Sequence, residues 1–153
     1  MRWGKLLLVA ALLAATIPVW KSHQCAVFEH DVLASANGNG FVPVQMPDGA
    51  PANTAVILAP VNCPSAAAQR ADAIAKRLSE MDIPNIRTSQ YVVRLTAPPT
   101  SEQSQLLQRG AVILNGQIPI VLINGMGKAN PTADEVAAEY RDAQDRTASA
   151  DRL

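Results

Sequence analysis

The chain has 153 residues, enough for one ordinary domain with its own core and too few for two. Thirteen basic and thirteen acidic side chains cancel, and no Lys/Arg cluster stands out, which excludes the electrostatic footprint of a nucleic-acid binder. Aromatic residues make up 4% of the chain while alanine dominates its apolar fraction. That composition suits close-packed helices on a sheet and argues against an aromatic stacking platform.

Residues 1–21 read as a targeting segment: Arg2 and Lys5, then an apolar run from Leu6 to Trp20, then Lys21. The run is shorter than the roughly 17 to 25 residues of a full span. It fits a short signal-anchor or a cleaved signal. The anchor is preferred, because small residues at cleavage spacing, such as Ala14 with Thr16, fall only inside the run. The basic start keeps the N-terminus inside and sends the rest across. The expectation is therefore a protein held in the inner membrane through residues 6–20 and facing the periplasm or extracytoplasmic space, or secreted if the segment is cut.

Residues 22–40 read as a linker, with Asn37-Gly38-Asn39-Gly40 lacking apolar periodicity. Phe41–Met46 is an edge strand carrying Pro43, and Pro47-Asp48-Gly49 is a turn. Thr54–Ala59 is a buried strand with a continuous apolar run. From Cys63 to Met81 the spacing becomes helical, with Ala67, Ala71, Ile74, Leu78 and Met81 on one stripe and Asp72 four residues before Lys76. Pro64 falls in the first turn, and Pro84 ends the helix.

Ile86–Leu95 is extended and is broken by Pro98-Pro99. Ser101 caps a helix carrying Leu106, Leu107, Ile113 and Leu114. The alternative reading makes Ala111–Leu114 a strand with Asn115-Gly116 as its hairpin turn. Ile118–Ile123 is a strand, Asn124-Gly125 a hairpin turn, and Lys128-Ala129 the return. Thr132 with Glu135 forms a capping box for a last helix to about Asp142, followed by a fraying tail over 143–153. The order β, α, β, α, β, β, α predicts an α/β domain over 41–142, a mixed sheet flanked by helices.

Cys63 carries the chemistry. It stands between a buried strand and an amphipathic helix, where a thiol at the first helical turn faces unpaired backbone N–H groups and the positive end of the macrodipole. The competing reading is a small buried apolar residue. Export puts both cysteines in an oxidising compartment, so Cys25 is a possible disulfide partner of Cys63, and an unpaired or intermolecular thiol is the alternative. His23 and His30 flank Cys25 without a second ligand group at metal-site spacing, so no metal is expected. No Ser/His/acid elbow or phosphate loop occurs.

The segment Ala55-Val56-Ile57-Leu58-Ala59-Pro60-Val61-Asn62-Cys63-Pro64-Ser65-Ala66 resembles the strand and Cys-Pro-x-Cys motif of glutaredoxins. Gln117-Ile118-Pro119, the strand after it and Asn124-Gly125 resemble that family's Thr-Val-Pro segment, strand and hairpin. The likeness spans roughly residues 54–142 and implies a thioredoxin-like fold of the glutaredoxin type, with Pro119 as the cis proline beside the active cysteine. It implies Cys63 as the reacting thiol, with Pro64, Ser65, Ile118 and Pro119 contacting substrate. Three departures stand out. Ala66 replaces the second motif cysteine, Pro60 replaces the lysine three residues before the motif, and Ala129 and Asn130 replace the paired glycines after the hairpin.

Two functions follow from the likeness and its departures. The first is monothiol exchange through Cys63 with protein thiols or glutathione, with no bound cofactor and glutathione as a possible co-substrate. The second is a non-catalytic thioredoxin-fold module that binds another envelope protein. Neither involves nucleic acid.

Overall fold

The computed structural model describes residues 31–150. They belong to two units, Met1–Ala34 and Ser35–Leu153. Of the first, residues 31–34 are described and are helical. The targeting segment, Cys25, His23 and His30 lie outside the described residues. Among the described residues, no helix is long and apolar enough to cross a membrane.

The second unit contains strands β1 (Val42–Pro43), β2 (Ala55–Leu58), β3 (Asn85–Thr88), β4 (Ile120–Ile123) and β5 (Met126–Ala129), with helices α1 (Ala66–Glu80), α2 (Ser101–Leu114) and α3 (Ala133–Ala150). The sheet order is β1-β5-β4-β2-β3. β2 and β3 are parallel, joined through α1, whereas β2–β4, β4–β5 and β1–β5 are antiparallel. The result is an α/β domain with a mixed five-stranded sheet flanked by helices.

Strand alternation divides the core in two. Ala55, Ile57, Ala59, Val121 and Ile123 face Ala71, Ile74 and Leu78 of α1 and Val136 and Ala137 of α3, with Phe41 in the same cluster. On the opposite face α2 lies over β1 and β5. There Gly127 lies close against Leu122 and Val44. β2 and β4 are buried along their whole length, which accounts for their uninterrupted apolar sequence.

Helix ends follow from capping chemistry. Ser65 Oγ accepts the N–H of Ala68 at 3.2 Å, so α1 starts at Ala66, three residues later than the apolar spacing predicts. At the other end Asp82 takes φ +56, Ile83 N–H donates to Leu78 O at 2.9 Å and Asp82 N–H to Ser79 O at 3.1 Å. That C-terminal closure stops the helix before Pro84 is reached. α2 is the helix the apolar pattern favours, but its cap is Thr100 rather than Ser101. Only from Thr100 does a residue three further on, Gln103, return a bond: Thr100 N–H donates to Gln103 Oε1 at 3.1 Å and Gln103 N–H to Thr100 Oγ1 at 3.2 Å.

The Thr132–Glu135 capping box forms as predicted. α3 then continues past Asp142 to Ala150, through a buried Ala143 and an ion pair of Arg146 with Glu139 at 3.0 Å. Residues 35–40 are also more than a linker. Asn37 Oδ1 accepts the N–H groups of Asn39 and Phe41, and the Asn37 and Asn39 amides donate to Glu139 on α3. The loop therefore belongs to the domain.

Candidate thiol site

Cys63 is an exposed, free thiol in the loop between β2 and α1. It precedes Pro64 and the cap residue Ser65, so it stands ahead of the first helical turn rather than within it. Asn62, just before it, has φ +57, a left-handed conformation that asparagine tolerates better than most residues. Pro64 is exposed and Ser65 half-buried. Gln69 Nε2 donates to Pro64 O at 3.3 Å, tying the loop to the helix it feeds.

The second predicted segment meets this loop at one end of the sheet. Leu58 pairs with Ile120, so the chain leaving β2 toward Cys63 and the chain entering β4 from Ile118 and Pro119 emerge side by side. The Ile118–Pro119 peptide bond is cis. Pro119 is fully buried, while Ile118 is 39% exposed and Val61, two residues before Cys63, is 43% exposed. Apolar surface thus accompanies the thiol at this end.

Two arginines hold the two segments in place. Arg70 Nη2, on α1, donates to Ile118 O at 2.7 Å. Helical spacing puts Arg70 about two turns from Cys63, too far to stand in for the lysine that Pro60 replaces. Its long side chain instead spans from α1 to the residue before Pro119. Arg87, on β3, donates from Nη2 to Pro60 O at 2.9 Å and pairs through Nη1 with Asp72. Its Nε is buried with no hydrogen-bond partner. Asp72 therefore meets a residue of β3, the strand beside its helix, rather than the helical neighbour Lys76 that its spacing suggests.

Asn130, which stands where the resemblance places a glycine, has φ +48. Its N–H donates to Pro119 O at 2.7 Å and its Nδ2 to Gln117 Oε1 at 3.2 Å. Arg87 and Asn130 are the supporting residues that sequence reasoning misses. A charged residue within a short strand was the available signal for Arg87, and the register β2–β3 was needed to use it. Cys25, the possible disulfide partner of Cys63 in the sequence, lies outside the described residues.

A cleft of about 200 Å³ lies elsewhere, lined by Pro47, Asp48, Ala50, Val56, Ile86 and Val92 among others. It includes none of the predicted site residues. Among the described residues, no group of three or more His, Cys, Asp or Glu side chains is placed to hold a metal ion. No protein-family model, curated protein or solved structure matches the chain.

Proposed function

We propose that the chain is a thioredoxin-like domain of the glutaredoxin type that performs monothiol exchange through Cys63. The observation that carries this reading is the exposed free thiol on the β2–α1 loop, at the sheet end where Ile118 and Pro119 enter β4. The βαβαββα order from β2 to α3, and the mixed sheet with helices on both faces, are those the resemblance implies.

In the exchange, the Cys63 thiolate attacks one sulfur of a mixed disulfide. A new S–S bond to Cys63 forms, the old one breaks, and the departing thiolate takes up a proton. Ala66 offers no second thiol within the motif. An external thiol, glutathione or a protein cysteine, must therefore attack the Cys63 disulfide and restore the thiolate. Arg70 and Arg87 position the two loops that present the sulfur. Export and membrane attachment belong to the same proposal and rest on Arg2, Lys5 and the Leu6–Trp20 run.

The test compares reduction of a glutathione mixed disulfide by the chain carrying Cys25→Ser with the chain carrying both Cys25→Ser and Cys63→Ser. Turnover that disappears with Cys63 supports exchange. Equal rates in the two proteins overturn it and leave the second reading, an interaction module, to which the loss of the motif's second cysteine at Ala66 already gives weight.

A further inference from the structure

The chain contains four Asn-Gly pairs, at Asn37, Asn39, Asn115 and Asn124. An asparagine before glycine is chemically labile, because a backbone nitrogen unhindered by a Cβ reaches the side-chain carbonyl most easily. The fold treats the four differently. Gly40 N–H donates to Asn37 O at 2.9 Å and Gly116 N–H to Ile113 O at 3.0 Å, which commits the would-be nucleophiles after Asn39 and Asn115. Asn124 is held at φ +47 in a tight turn closed on both sides by the paired strands β4 and β5, which leaves its backbone little freedom to bring the Gly125 nitrogen onto its Cγ.

Asn37 is placed otherwise. Gly38 is exposed, its N–H meets no acceptor among the described residues, and a Cβ built on it has no neighbour within 4 Å. Asn37 Oδ1 accepts two backbone N–H groups, from Asn39 and Phe41, each at 3.0 Å. Those donors point at the oxygen on which negative charge develops when the Gly38 nitrogen adds to Cγ, an arrangement that stabilises an oxyanion.

The other end of the same side chain rests on a buried acid. Glu139 is 0% exposed. Its Oε2 accepts Asn37 Nδ2 at 2.6 Å and Asn39 Nδ2 at 3.0 Å, and its Oε1 accepts Arg146 Nη2 at 3.0 Å. Asn39 Nδ2 also donates to Asp142 Oδ2 at 2.8 Å. Lys128 bonds Asn39 O at 2.8 Å and pairs with Glu135 at 3.0 Å. Neutral amides thus separate the loop from a carboxylate-rich stretch of α3.

We propose that Asn37 is a site of spontaneous deamidation whose product unlatches residues 35–40 from α3. The Gly38 nitrogen bonds to Asn37 Cγ, the Cγ–Nδ2 bond breaks, and the amide proton of Gly38 passes through solvent to the nitrogen that leaves as ammonia. Water then opens the cyclic imide to an aspartyl or isoaspartyl linkage. A donor is thereby replaced by an acceptor carboxylate at hydrogen-bond distance from Glu139. Two like charges in a buried site cannot both be accommodated, and the loop separates while Phe41 and the strand after it remain packed in the core.

The test has two arms. The full-length chain is aged at mildly alkaline pH and mapped by peptide mass spectrometry. Asn37 converts about tenfold faster than Asn39 or Asn115, giving both aspartyl and isoaspartyl peptides. Conversion first at another of the four pairs, or none at Asn37, overturns the proposal. In the second arm, Asn37→Asp raises exchange at the Asn39 and Phe41 amides by about tenfold or more relative to the unaltered chain, with β4 amides unchanged.

Adding Glu139→Gln to that variant restores a donor opposite an acceptor and returns the exchange rates to within about threefold of the unaltered chain. Unaltered exchange in Asn37→Asp, or a double variant no better than the single one, refutes the latch. If Asn37→Asp fails to fold, the aged protein supplies the product, and proteolysis of the 35–40 loop before and after ageing reads the same opening.

Discussion

Gly116 sits where the end of α2 meets β5, just before the segment that carries Ile118 and Pro119. A Cβ added there falls 2.6 Å from Ala129 Cβ and 3.1 Å from Ile113 O. Methyl carbons rest at about 3.5 to 4.0 Å, so Gly116→Ala must open the α2–β5 contact by about 1 Å. Neither obstacle yields easily, since one is a short rigid side chain on a paired strand and the other a helix carbonyl. Overpacking of this kind costs about 1 to 3 kcal/mol, and the lower entropy of the unfolded alanine chain offsets about 0.4 to 1 kcal/mol. The net expectation is about 1 to 2 kcal/mol of destabilisation.

Urea unfolding reads this as a midpoint lowered by roughly 0.5 to 1 M. The diagnostic variant is Gly116→Ala combined with Ala129→Gly. Alone, Ala129→Gly costs about 0.5 to 1 kcal/mol. Together the two are less destabilising than their sum by about 1 kcal/mol or more, because the shorter contact has gone. Strict additivity, or a Gly116→Ala protein as stable as the parent, refutes the reasoning.

Three further outcomes are expected. Arg87→Ala frees the Pro60 carbonyl and Asp72 together, which lowers stability by about 1 to 3 kcal/mol and speeds alkylation of native Cys63; an unchanged alkylation rate shows that Arg87 does not hold the loop. Burial, and secondarily the Asp48 charge, raises the Tyr91 hydroxyl above its ordinary 10.0, and Tyr91 donates to Gln45 O at 2.7 Å. Its contribution is complete below that value and disappears as pH rises through the higher folded value, so the ultraviolet titration loses its later phase in Tyr91→Phe and shifts toward neutral pH in Asp48→Asn. Glu135 titrates below the usual glutamate range because the Thr132 N–H, and then Lys128, stabilise its carboxylate. Its contribution is present above the ordinary 4.5 and fades as pH falls through the lower folded value. Carbon-detected NMR showing Glu135 at or above that ordinary value sinks this account.

Local chemistry made much of the fold legible in the sequence. Uninterrupted apolar runs mark β2 and β4, Asn124-Gly125 marks the hairpin, and Thr132 with Glu135 marks the start of α3, because each signal acts within a few residues. Cys63 and Pro119 were legible as candidates for the same reason. Bonds between segments distant in sequence carry no such local signature. The attachment of residues 35–40 to Glu139, the reach of Arg70 to Ile118 and the clasp of Arg87 on Pro60 and Asp72 depend on strand register and on which helix lies over which face. Only the tertiary structure decided them, since a polar or charged side chain is read as solvated until the packing shows what it is buried against.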